Sequence, residues 1–462
     1  MFDAKTYKQR RAQLKKQVPS GLLLFLGNDD SPMNYTANTY HFRQDSSFLY
    51  FFGLDFPGLA GIVDVDGNRD ILFGDDISLE DIIWMGYQPK FKDRARKVGV
   101  ADVLSSDKLQ SFVEEALKQG RTVHYIPPYR NDVQVKLAGL LGIDQAAVKP
   151  GASEALIKAV ISQRSIKSRA EVAEIESALV VSRRMYLSAM KMTRPGLYER
   201  DIAGMIDGIA LAGGGAPAFP TILTINGQIL HNHYHGNRME RGRLLVIDAG
   251  AESELHYASD ITRTIPVSGK FTGRQKEIYE IVLKTQEEAI KAIKPGVPYR
   301  KVHLSAALTV AAGLKDLGLM KGEPGDAVNR GAHALFFPHG LGHMLGLDVH
   351  DMENLGENYV GYDDSFKRSS QFGLAYLRLA KDLQPGYALT VEPGIYFIPA
   401  LIDTWRKEKK HTAFINYAKA EEYKDFGGVR IEDNVLVTKD GSRVLGQKIP
   451  KTPAEIEKAM AG

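Results

Sequence analysis

Short apolar runs separated by glycine and proline dominate the first third of the chain. The LLLFL run Leu22–Leu26, set between Gly21 and Gly27, predicts a buried strand. The FLYFFGL run from Phe48 to Leu54, GIVDV from Gly61 and DILF from Asp70 predict three more. Glu114–Lys118 and Val133–Leu141 predict helices, so this region is expected to be an α/β layer arrangement. Lys149-Pro150-Gly151 marks a candidate boundary. The mixed-charge segment SRAEVAEIESALVVSRRMYLSAM follows it. Its apolar positions Val172, Ile175, Leu179, Met185 and Leu187 fit a 3.6-residue period only loosely, which predicts a packed helix and not a coiled coil. Residues 1–155 and 156–462 are therefore expected to form a smaller and a larger domain.

Beyond this boundary, strands are expected at Ala218–Ile225 (turned by Pro220), Leu244–Asp248, Asp260–Val267, Ala388–Glu392 and Val429–Val437. Helices are expected at Gln275–Ile293 and Val302–Leu314, the first introduced by Thr272-Gly273 and followed by Pro295-Gly296. Antiparallel pairings flanked by helices suggest an α+β fold instead of a doubly wound parallel sheet. No GxGxxG or GxxxxGK[ST] phosphate loop occurs, and no repeat of solenoid period is visible.

Composition narrows the chemistry. At 462 residues, 44% apolar and 25% charged, the chain has ordinary globular composition and room for a large core. Lys plus Arg number 59 against 56 Asp plus Glu, and a net charge of +3 gives no electrostatic footprint for nucleic acid or an anionic membrane. With no cysteine, disulfides, thiolate zinc sites, iron–sulfur clusters and cysteine nucleophiles are excluded. Any metal must be held by His, Asp, Glu or backbone oxygen. The basic N-terminus lacks an apolar signal core, and LLLFL is too short to span a membrane, so a soluble, cytoplasmic protein is expected.

Four segments place acids and imidazoles where apolar strands end. Asp248 closes the Leu244–Ile247 run and Asp260 opens the next strand. In a hairpin the two can lie opposite each other, roughly 4.5–5.5 Å apart, and like charges that close need a cation. FFPHGLGHMLGLDVHD gathers His339, His343 and His350 among glycines that let the backbone approach something closely. It is not the HExxH of a zincin. Glu392 in LTVEPGIYF and Glu432 in GGVRIEDNVLV interrupt apolar runs, where a lone carboxylate is costly unless paired or metal-bound. Four carboxylates and one imidazole suit a hard or borderline divalent ion, with Mn(II) favoured over zinc by ligand type. Two bridged ions balance that charge better than one and would activate a bridging water as a nucleophile.

Taken together, DAG, SDITRT, HGLGHMLGLDVHD, TVEPGIY and GVRIEDN occur in the order found in the metallopeptidase family of aminopeptidase P, prolidase and methionine aminopeptidase, which the chain resembles over essentially its whole length. The resemblance implies a pita-bread catalytic domain behind a smaller α/β N-terminal domain. It implies Asp248, Asp260, His343, Glu392 and Glu432 as ligands of two divalent metal ions. It implies Glu392 as the proton carrier, and His350 as a substrate contact that assists the scissile nitrogen. The upstream family histidine falls in ILHNHYHGN, where His231, His233 and His235 compete. His231 keeps the family-like distances from Asn226-Gly227 and from Asp248. His339 is implied in the active-site wall and Arg378 in holding a substrate carboxylate. Arg430 and Tyr396 are implied on the same substrate side, as supports of Glu432 and Glu392.

The segment YHFRQDSSFLYFFGLDFPG resembles the non-catalytic domain of aminopeptidase P and the longer prolidases, which disfavours methionine aminopeptidase. The long stretch FIPALIDTWRKEKKHTAFINYAKAEEYKDFGG resembles prolidase more. The activity implied first is Xaa-Pro aminopeptidase, acting on peptides with proline second, with prolidase as the alternative. A non-catalytic pita-bread binding module and creatinase are the rivals that lack the metal set. Relatives imply a homo-oligomer, a dimer or tetramer.

Overall fold

The computed structural model describes residues 1–461. The chain forms two compact units, Met1–Arg164 together with Asn354–Tyr359, and Ser165–Glu353 together with the chain from Val360 onward. The division falls at the end of helix Glu154–Ser165, which the sequence boundary at 155/156 runs through. No helix among the described residues is long and apolar enough to cross a membrane.

The first unit is built on a five-stranded sheet. β1 (Leu22–Leu26), β2 (Ala60–Asp64), β3 (Arg69–Phe73), β4 (Asp102–Leu104) and β5 (Val123–His124) lie in the order β4-β3-β2-β1-β5. The β1–β2 and β2–β3 pairs are antiparallel, while β3–β4 and β1–β5 are parallel. Leu22, Leu24, Ile62, Ile71 and Phe73 pack on Leu109 and Val113 of helix Lys108–Lys118 and on Leu137 and Leu140 of helix Asn131–Leu141.

One expected strand is a helix. Ser46–Phe52 is helical, and all of its residues are buried. The Asp45 side chain caps it, accepting from Phe48 N at 2.8 Å, and Gly53 at φ +64° ends it in the left-handed region. A segment buried on every side has no polar face to reveal its period, so the apolar run alone could not separate helix from strand.

The second unit uses one arrangement twice. Helix Arg169–Met192 packs on Glu199–Ala212, and helix Gly273–Ala292 packs on Tyr299–Asp316. The leading helix of each pair starts with a reciprocal cap, Ser168 with Glu171 and Thr272 with Gln275. Each pair turns through Pro-Gly, where Gly196 and Gly296 adopt φ +96° and +77°. The first pair precedes the sheet β6-β7-β8, made of Ile222–Thr224, Leu244–Ala249 and Ile261–Pro266. The second precedes β9 (Ala388–Val391), β10 (Gly394–Tyr396), β11 (Gly428–Arg430), β12 (Asp433–Val437) and β13 (Ser442–Val444). These form an antiparallel β13-β12-β9 sheet and a β10-β11 ribbon.

Two expected strands differ in extent. β6 is shorter than Ala218–Ile225 because Pro220 has no N–H to give a ladder. The Val429–Val437 run breaks in two, since β11 pairs with β10 while β12 pairs with β9 and β13. Glu432 sits at that change of partner, and its N–H donates to Thr262 O at 3.0 Å. The break turns the Glu432 side chain toward the β6-β7-β8 sheet.

Candidate active site

Four strand ends meet in the second unit. In the β7–β8 hairpin, Asp248 is paired with Thr262. Asp260 is therefore not directly opposite Asp248, as expected, but two residues along, at a diagonal position on the same face. The Asp260 backbone is gripped from both sides by Asn434, whose Oδ1 accepts from Asp260 N at 3.0 Å and whose Nδ2 donates to Asp260 O at 2.5 Å. Glu392 follows β9, with its N–H donating to Leu341 O at 2.8 Å. His343 comes from an irregular segment stitched to β9, its N–H donating to Thr390 Oγ1 at 3.1 Å. Gly342 allows that approach, because a Cβ there would meet Thr390 O at 2.1 Å. His343 Nδ1 lies 3.0 Å from Met344 O, so the proton on Nδ1 leaves the Nε2 lone pair facing the acids. Nε2 is 3.4 Å from Asp260 Oδ2 and 3.6 Å from Glu392 Oε1.

The electrostatics of this cluster are unbalanced. Asp260, His343 and Glu432 each offer a ligand atom within 4.8 Å of the others, and all three are buried. Asp248 and Glu392 border this trio, with Asp248 in contact with Asp260 and Glu392 with His343. Asp248 Oδ1, Asp260 Oδ1 and Glu432 Oε1 are buried with no hydrogen-bond partner. Burial, and then the neighbouring Asp248 charge, pushes Asp260 well above the carboxylate range; burial and Asp260 do the same to Glu432. Burial lifts Glu392 to about 7 against the opposing pull of His343. Orphaned, crowded carboxylate oxygens are costly in a protein interior. Oxygen-rich ligands with one imidazole match a divalent cation, so the residues present fit such an ion.

The surrounding hydrogen bonds correct two expectations. Arg430 was expected behind Glu432, but its carboxylate partner is Asp248, with Nη2 to Oδ2 at 2.7 Å. It reaches Glu432 only through Thr262, whose Oγ1 accepts from Arg430 Nε at 3.2 Å and donates to Glu432 Oε2 at 2.7 Å. Tyr396 is 0% exposed and does not line the cavity, so it cannot touch a substrate there. It bonds neither Glu392 nor Glu432 directly. It accepts from Arg430 Nη1 at 2.8 Å and lies 2.9 Å from His339 Nε2. His339 Nδ1 in turn contacts Gly340 O at 2.8 Å, and burial together with Arg430 drives this imidazole down to about 3.

A cavity of about 700 Å³ opens over the acids, walled by Phe219, Ile222, Val349 and Phe372. His231, His233, His339, His350 and Arg378 also line it. His235 does not; its Nδ1 is turned to Leu223 O at 3.1 Å. His231 is lowered by burial and then by Arg430, with Asp248 opposing, which sets it beside the acid cluster. The His350 ring centroid is 4.1 Å from that of His343. Its Nδ1 lies 2.5 Å from Glu353 Oε2, while Glu353 Oε1 accepts from Arg378 Nη1 at 2.5 Å. Thr262, Asn434 and Glu353 are functional neighbours that the sequence reading missed. Thr262 was within reach, because the two-residue period of a strand puts it on the same face as Asp260. Glu353 follows an irregular turn, for which spacing gives no such rule.

Comparison with known proteins agrees with this architecture. Residues 173–439 match the Metallopeptidase family M24, and residues 7–125 match the Aminopeptidase P, N-terminal domain. A probable Xaa-Pro aminopeptidase of Sordaria macrospora is 33% identical, covering 99% of this chain and 96% of its own. The human Xaa-Pro dipeptidase is 31% identical, covering 98% and 91%. The structure of Pseudomonas aeruginosa aminopeptidase PepP covers 100% of this chain and 98% of its own at 30% identity, with a TM-score of 0.80. Zn-substituted E. coli aminopeptidase P in complex with product gives the same score and coverage at 29% identity. The chain belongs to metallopeptidase family M24, as a metal-dependent hydrolase with a pita-bread domain behind an aminopeptidase P-type N-terminal domain.

Proposed function

We propose that this protein is an Xaa-Pro aminopeptidase, hydrolysing the bond between an N-terminal residue and a following proline. The observation that carries the reading is the set of three partnerless carboxylate oxygens beside His343 Nε2, at the floor of a cavity large enough for a short peptide. The names borne by the fungal relatives and structural neighbours support it. Asp248, Asp260, His343, Glu392 and Glu432 would hold two divalent ions, manganese by ligand type. Such ions, when bound, supply Lewis-acid polarisation of the scissile carbonyl and acidify the attacking water.

The side chains do the rest. Glu392, at the cavity floor beside His343, is placed to take a proton from the attacking water. It passes that proton to the proline nitrogen, which as a tertiary amide carries none of its own. His350 is braced on Nδ1 by Glu353, which fixes the tautomer with the Nε2 lone pair free, and burial keeps the ring neutral. That lone pair can accept from the N–H formed at the departing proline nitrogen, while His231 steadies the tetrahedral oxyanion. His339 and Arg430 keep the wall and Asp248 in place through Tyr396.

A second reading, Xaa-Pro dipeptidase, is favoured by the human relative and by the long segment between Glu392 and Glu432. One assay separates the two: an Xaa-Pro dipeptide against an Xaa-Pro-Yaa tripeptide, both with manganese. Efficient tripeptide cleavage supports the aminopeptidase, dipeptide-only cleavage the dipeptidase, and turnover of neither overturns both. The reading extends to a homo-oligomer. Leu79, Ile83, Trp84, Met85 and Tyr87 of the first unit expose a run of apolar surface, of the kind that self-association covers. A monomer mass by light scattering would contradict that part.

A further inference from the structure

Glu353 stands behind the cavity wall, outside the metal-type cluster, and is shared between two of the wall groups, His350 and Arg378. Its Oε2 is 2.5 Å from His350 Nδ1 and its Oε1 is 2.5 Å from Arg378 Nη1. The hydrogen bond from His350, helped by Arg378, holds its carboxyl down at about 2, so it is ionised at any working pH. Among the described residues that line the cavity, Arg378 and Arg430 are the permanent cations. Arg430 is buried and committed to Asp248 and Tyr396. A peptide carboxylate entering the cavity therefore meets Arg378 as its counter-ion, and Arg378 already carries Glu353. Together the two have no net charge to offer a second anion, because the Glu353 carboxylate already neutralises the Arg378 guanidinium from behind.

We propose that Glu353 is a specificity-determining residue. By occupying the Arg378 guanidinium, it disfavours a free C-terminal carboxylate directly after proline and selects substrates that continue as neutral peptide. The inference deepens the Xaa-Pro reading and rests on it.

The test uses the manganese-loaded protein with an Xaa-Pro dipeptide, the same dipeptide as its C-terminal amide, and an Xaa-Pro-Yaa tripeptide. Acid and amide differ only in the charge at issue. In Glu353→Gln the ratio of kcat/KM for the acid to that for the amide should rise about tenfold or more, mainly through KM, and Glu353→Ala should move it the same way. Adding Arg378→Gln to Glu353→Gln should erase the gain. An unchanged or lower ratio in Glu353→Gln overturns the proposal and leaves Glu353 as a brace for His350 alone, with the Xaa-Pro reading intact. If the unaltered protein turns over none of the three, the Xaa-Pro reading fails. Calorimetric binding of acid and amide then decides separately, and an acid-to-amide affinity ratio that Glu353→Gln leaves unchanged overturns the role given to Glu353.

Discussion

Glu432 and Asp433 are adjacent, buried and both acidic, yet their surroundings are opposite. Asp433 receives Arg263 at 2.6 Å, Gln286 at 2.9 Å and Lys451 at 3.0 Å. Burial pushes its carboxyl up, but Arg263 and Lys451 outweigh burial and the net shift is downward. Glu432 has Thr262 on one oxygen and nothing on the other, and burial with Asp260 carries it well above the ordinary range. An acid that brings its own bases into the core is scaffold, complete as folded. An acid that brings none, beside others like it, is built for something that arrives later.

The sharpest way to break this contrast is to remove one acid from each kind of surroundings. Glu432→Ala or Asp260→Ala should cost turnover on the order of a thousandfold and lower the bound metal, measured by elemental analysis. Neither should lower the melting temperature of the metal-free protein, because each relieves like-charge crowding. Full activity in either variant would sink the dinuclear reading. Arg263→Met should do the reverse. It strips a buried acid of its main partner and should cost about 3–5 kcal/mol of stability by denaturant unfolding, with metal still bound by the protein that remains folded. Thr262→Val is gentler. It removes the hydroxyl that links Glu432 to Arg430 and should weaken metal affinity roughly 10–100-fold, read by titration against a chelator.

Buried bases extend the contrast with the smallest effect. His303 and His333 are fully buried, and none of their ring nitrogens has a partner. Burial drives them to about 3 and about 4. Unlike the acids, they need no counter-ion, since they fold neutral. The unfolded chain binds their protons below about 6.5 and the folded chain does not, so stability falls as pH drops from there toward 4. The slope is up to about 1.4 kcal/mol per pH unit for each ring. His333→Leu should flatten the acid limb of a stability–pH curve; an unaltered slope would show that the ring already finds a proton acceptor.

How far the sequence foretold all this depends on whether the information was local. Asp248, Asp260, Glu392 and Glu432 were legible because each interrupts an apolar strand-like run, where an acid is out of place. The histidine segment was legible because glycines run through it, and the family resemblance singled out His343 within it. The caps at Ser168 and Thr272 and the Pro-Gly turns also announce themselves in the chain. Register did not. The pairing of Asp248 with Thr262, the change of partner that turns Glu432 inward, and the choice of Asp248 by Arg430 are set by tertiary packing. The Ser46–Phe52 helix was missed because burial on every face erased its period. Asn434 was missed because its partner Asp260 lies far away in sequence, and Glu353 because the irregular turn that brings it to His350 has no period to read.

The most direct test is anomalous diffraction from crystals grown with manganese. The account predicts two peaks, roughly 3.5–4 Å apart, in contact with the orphaned oxygens of Asp248, Asp260 and Glu432. A map with no peak within reach of those oxygens, or with a protein cation turned into them instead, would contradict it.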